Sequence, residues 1–450
     1  MIILVNPMLS NYRNLNGDSC YIFIKKVVTG LLKKYPDYYF LIPWPHKESG
    51  FTYTTDGFFN HPHIIRLPME MPQRKMDMVV NFPITYWRKL FKIFTPDVVW
   101  NHIPEIGHLF KNIYTSFDEK TTSLVVFNQH HYVIHPTLPY PIGPYKAVQF
   151  QSYGSYLVDL NIFNSDYCKS MFDDIVRPFG EAKNIKYEIV KFALIENDYP
   201  EPTPDKEIRI AYNHRLQDYK NYLDTFETLD MLYKNGHKFK VMVTNPNASN
   251  FNKLVNYPFV EGMQIANHSE YLKELGRCHI NTINSQHETF CISALESLAF
   301  GQVLVAPRAI TFPELVSPDY KYLFNNEEEQ YKMLSELIKN PALLDAERPK
   351  IRQYTKENYG VDKFVDKYHQ LFTDYSVNDI SADNLKDTSK AAFSKIFQQK
   401  GFIELKEVQK QLGEFNLGWQ AFPLLKIKRL LNNLGYKDEI RGLKQGFLIG

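Results

Sequence analysis

The chain has 450 residues, of which 44% are hydrophobic, so it is long enough for two or three domains with well-packed cores. Its net charge of +2 excludes a protein whose whole surface binds polyanions. No stretch approaches the roughly 18 consecutive apolar residues of a transmembrane helix, and the start is typical of a buried strand rather than a signal peptide. The four cysteines show no CxxC or metal-ligand spacing, and we expect a cytoplasmic protein with reduced cysteines.

Short apolar runs alternate with helical stretches in the first half of the chain, a pattern typical of a doubly wound parallel sheet. The strands predicted in this half are 2–5, 38–42, 98–100, 124–127 and 160–163. A polar loop that contains Gly17 leads to a helix predicted over 21–34. Ligands bind such sheets beyond the carboxyl ends of the strands, so the loops after Val5, Phe127 and Phe163 are candidate site loops.

A segment with three prolines, residues 198–205, predicts a linker between two domains. Beyond it the alternation resumes, with strands predicted at 208–212, 240–243, 259–260, 279–283 and 303–305. The sequence therefore predicts two Rossmann-like α/β domains, residues 1–197 and 206–360.

Glu288 and Glu296, separated by seven residues, are the most informative pair in the chain. A strand-like run, 277–284, precedes them, and an apolar helix predicted over 292–300 ends at Gly301. Eight residues of helical rise span about 12 Å, roughly the distance from the sugar to the ribose of a nucleotide-sugar. Each carboxylate could accept hydrogen bonds from a pair of hydroxyls at one end of such a ligand. The alternative is the solvated end of an ordinary helix.

Two cations follow the predicted strand 208–212, about 70 residues before the glutamates. Arg215 and Lys220 provide the positive charge that a diphosphate needs, and a departing diphosphate needs it more in the transition state. The alternative is a polar loop with two exposed cations.

The segment from Glu288 to Glu296 resembles the E-x7-E motif of retaining glycosyltransferases with the GT-B fold, close to the large family 4 group. Residues 301–307 are similar to the strand that follows the motif in this family. The sequence Thr-Phe-Pro-Glu-Leu at 311–315 matches the family's hydrophobic-Pro-Glu-Leu turn. The resemblance extends from the N-terminus to about residue 370, and a helix at 361–375 is expected to return to the first domain, as it does in the family.

The loop 213–221 resembles the family's G-R-L-x-x-x-K-G loop. In that family the arginine and the lysine hold the donor diphosphate, which implies this role for Arg215 and Lys220. His214 and Asn221 stand where the family has glycine.

The resemblance implies a nucleotide-sugar donor, with a UDP-sugar expected, bound between the two domains without a metal. Glu296 would hold the ribose hydroxyls and Glu288 the sugar hydroxyls. Thr289, Phe290 and Gly17 are further candidates for the donor site. The N-terminus of the helix after Glu288 would add N–H donors near the diphosphate.

The segment Gln129-His130-His131 follows the predicted strand 124–127. Family 4 enzymes, and the phage DNA glucosyltransferase that resembles them, often carry a histidine here that approaches the donor sugar. Gln129 and His130 match the phage pattern, which implies a catalytic contact for His130, whereas His131 stands where an aspartate is expected. The two histidines could instead bind a metal or serve the structure alone. No carboxylate cluster accompanies them, and no metal site is predicted.

The end of the chain predicts a third unit, with a polar tether at 376–388 and a compact domain at 389–450. Its predicted order, two helices around a short strand, a basic helix and a hairpin, is that of a winged helix-turn-helix. Residues 382–450 contain 10 Lys and 2 Arg against 7 Asp and Glu, which favours a polyanion anchor. The candidate nucleic-acid contacts are Lys426, Lys428, Arg429, Arg441 and Lys444. The alternative is a small docking or dimerisation module.

Two classes of acceptor stay open. A winged helix suits an enzyme that modifies duplex DNA, as the phage glycosyltransferases do that act on 5-hydroxymethylcytosine and extrude the target base. This class is favoured, with duplex DNA as the expected partner. Lysine pairs on the first predicted helix could instead face a membrane that carries a lipid or polysaccharide acceptor. The sequence does not determine the sugar, the nucleotide base or the oligomeric state.

Overall fold

The structure is a computed structural model, and it describes residues 1–8, 18–45, 57–69, 82–94, 96–115, 125–131, 133, 145–176, 185–193, 199–244, 249–262, 268–375, 401–404, 437–441 and 444–449.

Seven parallel strands form the first sheet, in the order β3-β2-β1-β4-β5-β6-β7. They are β1 Ile2–Asn6, β2 Tyr39–Pro45, β3 Ile64–Met69, β4 Val98–Asn101, β5 Val125–His130, β6 Leu160–Phe163 and β7 Tyr187–Ile189. The helices of this first lobe are α1 Ser19–Lys34, α2 Ile84–Phe94, α3 Gly107–Thr115, α4 Tyr145–Tyr156 and α5 Asp166–Val176. The central strands β1, β4, β5 and β6 are completely buried, as is typical of a parallel sheet covered by helices on both faces.

A second parallel sheet, in the order β10-β9-β8-β11-β12-β13, forms the second lobe. Its strands are β8 Arg209–Tyr212, β9 Lys240–Val243, β10 Val260–Gly262, β11 Ile280–Thr282, β12 Val303–Pro307 and β13 Leu323–Phe324. Its helices are α6 Tyr222–Lys234, α7 His268–Leu275, α8 Ile292–Ala299, α9 Phe312–Leu315, α10 Glu327–Lys339 and α11 Pro341–Asn358. The strand order reverses between β8 and β11, and the loops after these two strands are those of Lys220 and Glu288.

The prediction of two Rossmann-like domains is confirmed, and each predicted strand of the two sheets is present. Gly301 ends α8 with a φ of 71°, and a Cβ at this position would lie 2.6 Å from the Arg348 carbonyl oxygen. Glycine is therefore required here both for the left-handed turn and for the close approach of α11.

Helix α12, Val361–Tyr375, follows the second lobe in the chain but packs against the first. The Asp366 carboxylate accepts hydrogen bonds from Lys34 Nζ and the Tyr35 hydroxyl, both at 2.7 Å, at the end of α1. The Tyr368 hydroxyl donates to Gln129 Oε1 in β5 at 2.6 Å. None of the helices in the described ranges is long and apolar enough to span a bilayer.

Three short antiparallel strands near the end of the chain form a separate sheet in the order β14-β16-β15. They are β14 Gly401–Glu404, β15 Lys437–Arg441 and β16 Lys444–Ile449. The predicted hairpin is present, with Arg441 and Lys444 at its strand ends. The tether 376–388 and the predicted helices of this unit, with Lys426, Lys428 and Arg429, lie outside the described residues.

Candidate functional site

Lys220 and Glu288 form a buried ion pair between the loops that follow β8 and β11. Their side chains keep only 9% and 14% of their surface exposed. Lys220 ends a 3-10 turn, Asp218–Lys220, and Glu288 lies in the loop before α8 rather than on the helix. Burial alone would lower the pKa of Lys220, but the Glu288 carboxylate outweighs burial and raises the pKa above its ordinary value. Lys220 is therefore fully charged at neutral pH.

Asn221 turns the chain between Lys220 and α6. Its φ of 46° and ψ of 42° lie in the left-handed region, which glycine adopts readily and asparagine tolerates. Its side-chain oxygen accepts a hydrogen bond from Gln286 Nε2 at 2.9 Å, which joins the loop of Lys220 to the loop of Glu288. Asn221, which stands where the family has glycine, therefore keeps the left-handed backbone conformation that a glycine would adopt there.

Asn221→Gly is expected to leave the melting temperature nearly unchanged, whereas Asn221→Val should destabilise the protein by about 1–3 kcal/mol. The reason is that a β-branched residue is strained at positive φ. Thermal unfolding of the two variants beside the parent chain checks this. Equal melting temperatures for the glycine and valine variants would contradict the assigned backbone conformation.

Glu296 lies on α8 and is oriented by a chain of hydrogen bonds. The Tyr271 hydroxyl, from α7, donates to Glu296 Oε2 at 2.7 Å and accepts from Asn213 Nδ2 at 2.9 Å. Asn281 Nδ2 in β11 donates in turn to Asn213 Oδ1 at 3.0 Å. Because every link is at least half-buried, the carboxylate of Glu296 is held by the lobe itself before any ligand arrives.

Thr289 joins the two lobes directly. Its hydroxyl donates to the His131 carbonyl oxygen at 2.7 Å, and its own carbonyl oxygen accepts a hydrogen bond from the Ser165 hydroxyl. Asn164 Nδ2 lies 3.5 Å from Thr289 Oγ1. The loop that carries Glu288 is therefore fastened to the carboxyl ends of β5 and β6 in the opposite lobe.

Glu314, from α9, forms a second contact between the lobes. Its carboxylate oxygens accept hydrogen bonds from the backbone N–H groups of Asp166 and Tyr167, both at 2.8 Å, at the N-terminus of α5. Lys191 Nζ lies 3.9 Å from Glu314 Oε2. Burial raises the pKa of Glu314 and opposes its charge, whereas the two amides favour it. We call this contact of Glu314 with the first turn of α5 the α5 latch.

Known proteins resemble this chain both in the sequence of the second lobe and in the two-lobed fold. Residues 195–358, which include the Lys220–Glu288 pair and Glu296, match the family model described as glycosyl transferases group 1. Sucrose-phosphate synthase (tll1590) from Thermosynechococcus elongatus has a similar structure, with a TM-score of 0.67 and 12% identity over 83% of this chain and 98% of that one. The protein is a glycosyltransferase with the GT-B fold.

Two further structures share the two-lobed fold of this glycosyltransferase. Anabaena Alr3699/HepE, determined in complex with UDP and glucose, has a TM-score of 0.61 and 11% identity over 83% of this chain and 100% of that one. The lipopolysaccharide outer core galactosyltransferase WaaB, in its apo form, has a TM-score of 0.55 and 15% identity over 82% of this chain and 98% of that one. At these identities the likeness establishes the fold and leaves the substrates open.

The remaining residues that the sequence predicts for the donor site differ in exposure. Arg215 is exposed, and no ion pair joins it to any residue in the described ranges. Phe290 is only 3% exposed, and its ring packs against Phe192 and Tyr359, so it belongs to the aromatic core between the lobes. Gly17 lies outside the described residues.

His130 points into the core of the first lobe, which corrects the expectation that it faces the donor sugar. Its side chain is completely buried and stacks on Phe163, with 4.4 Å between ring centroids, and Nε2 lies 2.9 Å from Asn161 Oδ1. Successive side chains of a strand point to opposite faces, and the half-buried residue at this strand end is His131. In the sequence, only its place beside His130 marked His131 as a candidate site residue.

His214, at the place of a family glycine, is a site residue that sequence reasoning did not assign. It is buried with Nδ1 3.1 Å from Ser293 Oγ in the first turn of α8. Burial, with Lys220 nearby, lowers the pKa of His214 well below its ordinary value, so the imidazole is neutral at neutral pH. It therefore adds bulk and hydrogen bonds beside Lys220 without a competing charge.

Tyr271→Phe is expected to raise KM for the nucleotide-sugar about 3–10-fold with little change in kcat. The substitution removes the donor that orients Glu296, which would contact the ribose, far from the reacting bond. Steady-state kinetics with varied donor concentration check this. Tyr331→Phe is the matched control, because Tyr331 accepts a hydrogen bond from Asn235 on an exposed face and should keep the parental KM. An unchanged KM for Tyr271→Phe would exclude a role in donor binding.

Proposed function

We propose that the protein transfers a sugar from a UDP-sugar with retention of the anomeric configuration. The observation that carries this proposal is the Lys220–Glu288 pair at the carboxyl ends of β8 and β11. On donor binding, the Lys220 ammonium pairs with the diphosphate and the Glu288 carboxylate accepts hydrogen bonds from the sugar hydroxyls. Contacts with the ligand thereby replace the ion pair between the two side chains. Lys220 then stabilises the negative charge that develops on the departing diphosphate.

Other residues of the second lobe complete the proposed donor site. The exposed Arg215 provides a second cation for the diphosphate, and Glu296, held by Tyr271, accepts hydrogen bonds from the ribose hydroxyls. The first N–H groups of α8 add partial positive charge at the same point. With two cations and a helix terminus in these roles, the proposed transfer needs no metal. The likeness to a GT-B protein crystallised with UDP supports uracil as the nucleotide base.

The proposed acceptor is 5-hydroxymethylcytosine in duplex DNA. Two observations support this choice. The excess of basic residues after 382 provides an anchor for a polyanion. The order β14-β16-β15, with a first strand paired to the far strand of a hairpin, is the strand arrangement of a winged helix. The proposal places the reaction in the cytoplasm, where the four buried cysteines stay reduced.

A saccharide is the second candidate acceptor. The fold is shared with a sucrose-phosphate synthase and with a lipopolysaccharide core galactosyltransferase, whose names point to saccharide acceptors. In this case the C-terminal unit would serve for docking or dimerisation.

One assay distinguishes the two acceptors. The full-length protein is incubated with UDP-glucose, UDP-galactose or UDP-N-acetylglucosamine and with hydroxymethylated or unmodified duplex DNA. Nucleosides are then analysed by mass spectrometry, and UDP release is measured in parallel. The proposal expects one sugar on 5-hydroxymethyl-2′-deoxycytidine and none on unmodified DNA. UDP release without addition to DNA, increased by phosphorylated sugars or oligosaccharides, would transfer the proposal to saccharide acceptors.

Deletion of residues 380–450 is expected to weaken duplex binding about tenfold or more at low salt while donor hydrolysis continues. The deleted segment carries most of the proposed phosphate contacts, so the loss should diminish as salt rises. Fluorescence anisotropy with a labelled duplex over a range of salt concentrations measures the effect. Equal affinity with and without the segment would show that it does not anchor the protein to DNA.

A further inference from the structure

Three metal-ligating side chains from separate elements meet in the first lobe beside the contact between the lobes. Cys20 is the second residue of α1, His102 follows β4 and His131 follows β5. Cys20 Sγ lies 3.7 Å from His102 Nδ1, and His102 Nδ1 lies 2.7 Å from His131 Nε2. Ligand atoms of all three lie within 4.8 Å of one another. We refer to these three residues as the Cys20–His102–His131 cluster.

The chemistry of the cluster suits a soft divalent cation. Thiolate and imidazole are ligands that Zn²⁺ and similar cations prefer, and Cys20 and His102 are both buried. A thiol is a weak hydrogen-bonding group, and the ring nitrogens that face each other can share only one proton. A cation that replaces the shared proton and the thiol proton would satisfy all three donor atoms at once.

We propose that the Cys20–His102–His131 cluster binds Zn²⁺, or a cation of the same preference, and that occupancy inhibits the glycosyltransferase. Zn²⁺ takes thiolate and imidazole ligands at about 2.0–2.3 Å and accepts three protein ligands with an open fourth position. Tetrahedral bonds of that length separate the donor atoms by roughly 3.3–3.8 Å, so small side-chain rotations complete the site. On binding, the thiol proton passes to solvent, and the proton shared by the two imidazoles moves to the other nitrogen of one ring, so both rings remain neutral.

The inhibitory part rests on the proposed function, in which Glu288 holds the donor sugar, because the loop of Glu288 contacts the end of β5. The His131 carbonyl oxygen already accepts from Thr289, next to Glu288. A cation that holds the His131 ring against Cys20 and His102 would fix this strand end and withdraw the imidazole from any ligand in the cleft. Of the three side chains, only that of His131 is half-buried, so the cation would enter from this side.

A second group of possible ligands, His214, Glu288 and Cys291, lies in the opposite lobe with ligand atoms within 4.8 Å of one another. Its carboxylate is already paired with the Lys220 ammonium, and that charge repels an entering cation. The structure therefore favours the Cys20–His102–His131 cluster as the metal site. Substitution of Cys20 or of Cys291 distinguishes the two groups, because each group contains one of these cysteines.

The test uses the full-length, tag-free protein with Co²⁺ as a spectroscopic probe and Zn²⁺ in competition with a chromophoric chelator. The parent chain is expected to bind one ion and to show a thiolate-to-cobalt charge-transfer band. Cys20→Ser should abolish the band, and both Cys20→Ser and His102→Gln should weaken Zn²⁺ binding more than about 100-fold, because loss of partners that only support ligands already costs about 10–100-fold. Cys168→Ser and Cys291→Ser are the matched controls and should retain the band. Circular dichroism and thermal unfolding without metal verify that each variant is folded.

Binding and inhibition are measured separately. Zn²⁺ is expected to inhibit UDP release from the UDP-sugar by the parent chain, with reversal by EDTA, and to inhibit Cys20→Ser only at concentrations about 100-fold higher. The absence of a cobalt band, its persistence in Cys20→Ser or its loss in Cys291→Ser would overturn the site. A cobalt band with no effect on UDP release would retain the site and refute inhibition. Absence of UDP release with every donor would contradict the proposed function and leave the cobalt result valid.

Discussion

Glu288→Gln is expected to lower kcat by about 10²–10³-fold without any loss of affinity for UDP. The amide keeps the shape of the side chain but loses the charge that would accept hydrogen bonds from the sugar hydroxyls. Removing one preorganised polar group of this kind costs about 3–4 kcal/mol in the transition state. Acceptor-independent UDP release at saturating donor measures kcat, and calorimetry with UDP measures the affinity.

Glu357→Gln is the matched control, because Glu357 lies on the exposed end of α11, where its carboxylate accepts a hydrogen bond from Gln353. It should keep the parental kcat. A Glu288→Gln variant that is folded and retains more than about a third of the parental kcat would remove Glu288 from the reaction.

The same substitution also tests the buried ion pair. Glu288→Gln leaves the Lys220 charge buried without its partner, which is expected to cost about 3–5 kcal/mol of unfolding free energy. Adding Lys220→Met should recover most of this loss, because no buried charge then remains. Denaturant unfolding of the parent, both single variants and the double variant gives the coupling free energy. Additive effects would show that the pair does not contribute as a unit.

Glu314→Ala is expected to lower kcat/KM about 10–30-fold, the second largest effect. The substitution removes the α5 latch, whose two hydrogen bonds to Asp166 and Tyr167 hold the lobes together. The desolvation that raises the pKa of Glu314 offsets part of their strength, so we expect a net loss of about 1.4–2 kcal/mol in closure. Steady-state kinetics measure the loss, and small-angle scattering should show a larger radius of gyration.

Glu328→Ala is the control for the latch, since Glu328 lies on α10 and its exposed carboxylate pairs with Lys332, far from α5 in the chain. It should change neither kcat/KM nor the scattering profile. A Glu314→Ala variant with parental values of both quantities would exclude the latch as a determinant of closure.

The strands could be predicted from the sequence wherever helices cover both faces, since those segments are continuous apolar runs. The sequence did not predict β3, β7 and β13. β3 contains Pro68, whereas β7 and β13 are only three and two residues long. Such segments depend on pairing with a neighbour that is distant in sequence, so no local pattern marks them.

The candidate site could be predicted only within the second lobe. Lys220 and Glu288 were expected at one donor site because their segments resemble the G-R-L-x-x-x-K-G loop and the E-x7-E motif of the family. In the structure, the reversal of strand order brings their loops together. The family resemblance implied a donor contact for His130, but it does not fix the direction of a side chain at a strand end. Contacts made across the lobes, such as those of Thr289 and Glu314, depend on how two domains meet, which no spacing in the chain encodes.

The return of α12 to the first lobe determines the order in which this protein can be completed during synthesis. Tyr368 is fully buried and joined to Gln129, and Phe372 packs against Trp100 and Phe127. The ribosome must therefore synthesise the entire second lobe before the first lobe can receive its last helix, α12. Until then a nascent chain presents an aromatic surface that suits a chaperone, and a fragment that stops before Val361 would be expected to aggregate rather than fold.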